Sequence, residues 1–230
     1  GLIAEQFEWD NPLKLGLPYE PLLGYYLLNS TEDLMVIEKH MDWMSGHGIN
    51  FVLFLWPERV MREGNIRERV YKEAISTLEI FETGGMKFGI SYGFEGEPPF
   101  NMSDPQRVQS FKEDLSYLAE NYFGHPACFK INGKPFFWIW GTPAMGGDFI
   151  GALKEVYEFM KENYGIQLYV VSDHAGPEVD ENWGGSGGEG TPYIPVKDWV
   201  PLFFDAMLTG AWISPHYREY AGNGSWEDYL

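Results

Sequence analysis

Short apolar runs alternate along the chain with longer stretches in which apolar residues recur every three or four positions. The runs Ile49–Trp56, Met86–Tyr92, Phe136–Trp140, Gln167–Ser172 and Phe203–Leu208 read as strands. Phe136–Trp140 contains no polar residue, which predicts a strand buried on both faces of a parallel sheet and near its middle. It is entered through Asn132-Gly133, a pair suited to positive φ, so Cys128–Ile131 and the aromatic run form a hairpin. Pro57 closes the strand that ends at Trp56.

Between the strands the period changes to that of a helix. Ser30 is placed as an N-cap with Asp33 three residues on, and Leu34, Ile37, Met41 and Met44 form a stripe ended by Gly46 and Gly48. Ile66, Val70, Ala74 and Leu78 predict a helix from about Ile66 to Phe81, stopped by Gly84-Gly85. Ser103-Asp104-Pro105 opens the next, with Val108, Phe111, Leu115, Leu118 and Tyr122 as its buried face and Gly124 as its end. Asp148–Tyr164 is the last, with Ile150, Leu153, Tyr157, Met160 and Tyr164 in register. Alternating strands and helices predict an α/β fold with a parallel sheet, a (β/α)8 barrel or a doubly wound sheet. About five units are visible in a single domain spanning 1–230. A closed barrel takes about 250 residues, so the expectation is a barrel incomplete at one or both ends, finished by a further segment or chain. Residues 173–201 form a long Gly-rich loop around Trp183–Gly190, read as a lid or linker. It is not a phosphate cradle, because it lacks the Gly-Lys-Ser/Thr ending and leads into Thr191-Pro192.

Composition narrows the partners. Hydrophobic residues make up 44% of 230 and aromatics 17%, enough for a sizeable core with rings left over for a surface or cleft. Spare Trp and Tyr suit sugars, whose C–H faces are apolar. Sixteen basic residues face 34 acidic ones, for a net charge of -18, which argues against nucleic acid and anionic lipid as partners. Beyond Val171 the basic residues are Lys197 and Arg218 alone; this acidic stretch reads as solvated surface rather than a cation site. No apolar run reaches the roughly 18 residues of a membrane helix. The single cysteine, Cys128, precludes an internal disulfide and reads as a packing residue. The chain opens Gly1-Leu2-Ile3, consistent with a removed leader or an excised piece. An extracellular or cell-surface setting is favoured, although composition does not separate it from the cytosol.

A family likeness emerges from several blocks taken in order. Leu23-Gly24-Tyr25-Tyr26 with Asn29-Ser30, Val36–Met41, and Gly48–Trp56 resemble the first conserved blocks of glycoside hydrolase family 99, the endo-α-mannosidases, and their WbsX-like relatives. Lys87–Tyr92 resembles the family's third strand, and Phe204-Asp205-Ala206 is similar to its later Phe-Asp-Gly. The most specific match is Asp114–Tyr122, His125-Pro126-Ala127 and Gly133-Lys134-Pro135 leading into an aromatic strand. The resemblance covers about residues 22 to 210. It implies a (β/α)8 barrel and a retaining, endo-acting hydrolase of α-mannose-containing glycans that uses the substrate's 2-hydroxyl with two glutamates. Those glutamates lie in a Glu-Trp-His-Glu motif that this sequence does not contain. The family's Glu-Pro-Tyr is altered too: Gly93 and Phe94 take its first two places, and the nearest acids are Glu95 and Glu97.

Barrel chemistry sits where strands end. Trp56, Tyr92, Glu95, Glu97, Trp140, Asp173 and His174 are therefore the candidate substrate-binding residues. Glu95 and Glu97 are also the candidate catalytic carboxylates, if a turn brings them within about 5–10 Å. Glu58 follows Trp56 and Pro57 but adjoins Arg59, so a surface ion pair is expected. His125 falls at the barrel base, where stability rather than chemistry resides. Asp173 and His174 with Glu178, Asp180 and Glu181 lack the regular spacing of a calcium loop, so neither metal nor cofactor is expected. Three functions stay open: a hydrolase of mannose-containing glycans, a non-catalytic carbohydrate-binding or structural barrel, and a glycosyltransferase-like protein of polysaccharide synthesis.

Overall fold

In the computed structural model the described residues are 34–59, 61, 64–96, 100–140, 145–174 and 208–213. The Ser30–Asp33 cap, the blocks before 34, Glu97, residues 175–201 and most of the strand expected at 203–208 lie outside them. The described residues fall into two compact units, one holding 34–52, 61 and 64–87, the other 53–59 and those from 88 on.

The first unit is helical. Helix α1 is Leu34–Gly46, and of its expected stripe only Ile37 is buried. The helix expected from Ile66 to Phe81 is broken: α2 is Ile66–Thr77, Leu78 turns extended at ψ 120, and α3 is the single turn Glu79–Glu82. Ile66 is its first residue, as expected, and Asn65 caps it, its side chain accepting from the backbone N–H groups of Arg67 and Glu68. Ile66 sits 51% exposed, while Val70, Ala74, Leu78 and Phe81 are buried.

The second unit carries the sheet. The strands are β1 Phe51–Pro57, β2 Lys87–Gly93, β5 Lys134–Trp140, β7 Tyr169–His174 and β8 Leu208–Ile213, in that spatial order; all but Phe51, Val52 and Lys87 belong to this unit. Strands β2, β5, β7 and β8 are parallel neighbours, so β5 is central as expected. The short β4, Lys130–Ile131, returns antiparallel through Asn132 and Gly133, at φ 52 and 79. Two further pairs of residues, β3 (Phe100–Asn101) and β6 (Met145–Gly146), form a small parallel ladder beyond the ends of β2 and β5. There Gly147, at φ +69, has no room for a Cβ, which would lie 2.5 Å from Ser103 Oγ.

Helices α4 (Pro105–Leu118) and α5 (Phe149–Tyr164) are capped by Asp104 and Asp148, each accepting a backbone N–H. A wide π turn, Ala119–Phe123, prolongs α4. All five residues of the α4 stripe are buried: Val108, Phe111, Leu115, Leu118 and Tyr122. On α5 the buried residues are Ala152, Leu153, Val156 and Met160; Val156 takes the place expected for Tyr157. The strands answer with one face each. Phe54 and Trp56, then Phe88, Ile90 and Tyr92, then Phe137 and Ile139, then Val170 are buried. Phe111 lies 4.8 Å from Tyr92 and Phe123 6.2 Å from Phe137, ring centre to ring centre. The expectation that Phe136–Trp140 is buried on both faces is thus corrected. Burial alternates along β5, with Phe136 and Trp138 half-buried and Trp140 exposed. Cys128 is buried, as a packing residue should be.

Removing the Phe111 ring should cost about 3–5 kcal/mol, since it strips a fully buried aromatic from this layer. Ile66→Ala should stay within about 0.5 kcal/mol. Urea unfolding of the two variants checks the contrast.

Candidate functional site

Parallel strands put their C-terminal ends on one edge, and of the candidates Trp140, Asp173 and His174 stand at strand ends there, with Glu95 in the turn after β2. Register fixes which share a face. Gly93 pairs with Trp140 across β2 and β5, and Asp173 with Trp212 across β7 and β8. Ile139 pairs with Ser172, so Trp140 and Asp173 are the next neighbours along β5 and β7. Gly93, Trp140, Asp173 and Trp212 therefore form one cross-strand row. Beneath it run Ser91, Trp138, Val171 and Gly210. This face is the less covered one: Trp140 keeps 47% of its surface exposed and Leu55, on the same face of β1, 46%. A Cβ at Gly93 would meet nothing within 4 Å, so there is open space in the row beside Trp140, whose exposed indole is a flat apolar surface.

The other parity is spoken for. Trp56 and Tyr92, expected at the mouth, have no exposed surface and sit in the helix-covered core. Trp56 packs edge-on against Tyr122 at 5.2 Å. Tyr92 donates its hydroxyl hydrogen to Asp114 Oδ2 at 2.9 Å. Burial first, then the nearby Asp114 and Glu58 charges, push the Tyr92 hydroxyl well above its ordinary range, so it stays a donor. Asp173 and His174, expected just after the fifth strand, are the last two residues of β7. Glu95 is exposed in the turn after β2, and Glu97 lies outside the described residues.

Glu58 overturns its expectation. It is not on the surface: 2% of its side chain is exposed. Its Oε2 accepts from Arg107 Nη1 at 2.6 Å and from the backbone N–H of Glu95 at 3.1 Å. Arg59, the expected partner, is more distant, with Nε 3.9 Å from Oε1. Arg59 instead spans to α4, its backbone N–H donating to Asp114 Oδ2 and its Nε to Ser110 Oγ. It does so at φ 62, a left-handed conformation costly for a side chain of this size, held by those bonds. Among the described residues no group of three or more His, Cys, Asp or Glu is arranged to hold a metal ion.

Sequence periodicity alone did not single out Arg107 or Asp114. Both left a trace. Asp114 falls on the buried face of α4 between Phe111 and Leu115, and Arg107 puts a positive charge in a first turn, where the helix dipole disfavours it. Each position calls for a partner.

No family model matches the chain, and no curated protein matches it. Solved structures do. The GH99 endo-alpha-mannosidase from Bacteroides thetaiotaomicron is 17% identical over 84% of this chain and 46% of its own, at TM-score 0.54. The same protein's complex with bis-tris-propane gives 17%, 88%, 51% and 0.55. A glycoside hydrolase-like protein is 15% identical over 94% of this chain and 61% of its own, at TM-score 0.61. Likeness at this identity establishes the fold: a (β/α)8-barrel-type α/β architecture, of which about five β/α units are visible here. The chain spans about half the length of the endo-mannosidase structures and 61% of the third.

Glu58 carries a testable pH signature. Burial, the largest influence, raises its carboxyl above the ordinary value of 4.5 against the pull of the Glu95 N–H, Arg107 and Arg59. The folded state therefore holds this proton more tightly than the unfolded state. Its contribution to stability declines as pH rises from about 4.5 through the raised value. Glu58→Gln has no such proton. The stability of the variant minus that of the wild type should climb across this window, whatever its offset. Denaturant melts at a series of pH values measure it, and a flat difference would show that Glu58 titrates normally.

Proposed function

We propose that this chain belongs to a glycoside hydrolase acting on α-mannose-containing glycans, and that the Gly93–Trp140–Asp173–Trp212 row is part of its sugar-binding mouth. The observation that carries this reading is the row itself. It lies on the C-terminal edge of a parallel sheet, where barrel enzymes bind substrate, and it sets the exposed Trp140 indole beside Gly93, with Asp173 at the next register position. An indole offers a flat apolar face to sugar C–H groups, and a carboxylate accepts from hydroxyls. The ordered sequence motifs and the likeness to the GH99 endo-alpha-mannosidase support mannose as the sugar class. Glu95 and Glu97 are candidates for hydrogen bonds to the same ligand, and His174 for a more peripheral one.

A second reading, binding without turnover, is favoured by one observation: the Glu-Trp-His-Glu motif that supplies the catalytic pair does not occur among the 230 residues. Isothermal calorimetry and product analysis with α-mannan oligosaccharides separate the two. Endo-cleavage supports the hydrolase. Binding without product from this chain and from its full-length parent supports the second reading, and absence of both overturns sugar recognition. Trp140→Ala should weaken glycan binding about tenfold, the value of one aromatic stacking contact. Asp173→Asn should weaken it by several-fold through loss of a charged acceptor. Unchanged affinity in both variants would place the ligand elsewhere.

A further inference from the structure

We infer that Glu58 is a positioning residue: one of its carboxylate oxygens clamps the main chain of Glu95, two residues beyond the Gly93 of the Trp140 row, and releases it when Glu58 takes up a proton.

The geometry is a closed ring. Glu58 Oε2 accepts the Glu95 N–H at 3.1 Å and Arg107 Nη1 at 2.6 Å, while Arg107 Nη2 donates to the Glu95 carbonyl at 3.2 Å. Both backbone groups of Glu95 are thereby tied to one ion pair. The guanidinium also lies over Phe94 and Phe100, at 5.8 and 5.4 Å from the ring centres. Phe100 belongs to β3, which pairs with β6, the segment that follows β5. The clamp thus bears on the connections leaving both strands that contribute Gly93 and Trp140. The backbone closes the ring from the other side, where the Glu58 N–H donates to the Gly93 carbonyl at 2.7 Å.

Glu58 does not itself reach a ligand. It shares the face of Phe54 and Trp56, under α4, and is nearly inaccessible. Its charge is what the clamp uses. A charge-assisted hydrogen bond is about twice as strong as a neutral one. A protonated Glu58 would leave Arg107, 18% exposed, facing a neutral acid. The groups bearing on it are Arg107 and Asp114 from α4, Arg59 from its own turn, Tyr92 from β2 and the Glu95 main chain. The arginines stay charged throughout, and the Asp114 charge works with burial to favour proton uptake. When Glu95 leaves and Glu58 stays under α4, the burial that raises its carboxyl remains and the Glu95 N–H that opposes it is lost, so the open state binds the proton more tightly: the clamp is closed at neutral pH and opens on acidification.

The link to ligand affinity rests on the sugar-binding reading above; the clamp does not. Site-resolved amide exchange on the whole chain, corrected for intrinsic rates, tests it at neutral and mildly acidic pH. Protection of the Glu95 amide should drop roughly tenfold or more on acidification of the wild type, the value of one charged hydrogen bond. In Glu58→Gln it should be low at both. Arg107→Lys keeps the charge but loses the fork that reaches two acceptors, and should lower protection at neutral pH. If either variant fails to fold, the wild-type pH series decides alone. Protection that ignores pH overturns the clamp. Protection that shifts as expected while affinity for α-mannan oligosaccharide stays constant overturns its coupling to the site. If no form binds the glycan, the sugar-binding reading and the coupling both fall, and the clamp is judged by exchange.

Discussion

The packing of α4 against β2 and β5 sets the terms for what surrounds it. Phe111 lies between Tyr92 and Phe137, at 4.8 and 6.3 Å, and Leu115 and Leu118 complete a layer with no exposed surface. Once that face is assigned to helices, the period of two in each strand leaves no freedom on the other. Trp56 and Tyr92 go inward to the helices. Trp138 and Trp140 go to the face that α4 and α5 do not cover. A slip of one residue in β5 would exchange Trp140 for Ile139 at the edge and remove the indole from the row.

The same layer explains the buried charges. Asp114 and Glu58 have 0% and 2% of their surface exposed, and isolated carboxylates would not persist there. Asp114 Oδ2 accepts from the Tyr92 hydroxyl and the Arg59 N–H, and Glu58 Oε2 from Arg107 and the Glu95 N–H, while Glu58 Oε1 is buried with no hydrogen bond and only the Arg59 guanidinium 3.9 Å away. These bonds connect the turn after β1, the end of β2 with the residue Glu95 beyond it, and α4 from Arg107 in its first turn to Asp114 in its third. Specific polar bonds of this kind fix one arrangement of loops whose apolar contacts alone would permit several. Burying the ions is costly, so the network defines geometry more than it contributes stability.

Much of the architecture was legible in the sequence. Helices α4 and α5 and the Asn132-Gly133 turn follow from local rules, because each is decided by neighbours within a few positions; the central place of β5 was expected as well, but from a two-faced burial that the strand does not have. Features set by distant residues were not legible. The break at Leu78, the inward turn of Trp56 and the alternating burial of Phe136–Trp140 depend on which face a helix covers. Glu58 shows this most clearly. Its sequence neighbour is Arg59, yet its closest ion-pair partner is Arg107, 49 positions on. For the site, the edge positions Trp140 and Asp173 were visible as strand ends. The row that joins them to Gly93 and Trp212 needs register, which periodicity does not supply.

The π turn at Ala119–Phe123 has a consequence of its own. Tyr122 and Phe123 are adjacent and both buried, at 0% and 1% exposure. In an α-helix, successive residues point about 100° apart, since 3.6 residues complete a turn. The widened turn spends one more residue per revolution and narrows that angle. Two consecutive rings can then face the same sheet: Tyr122 meets Trp56 of β1 and Phe88 of β2, and Phe123 meets Phe137 of β5. One helix end thereby spans three neighbouring strands. In terms of heredity, the segment is length-sensitive rather than identity-sensitive: exchanging one aromatic for another changes a contact, whereas losing a single residue here would rotate everything up to the hairpin out of phase.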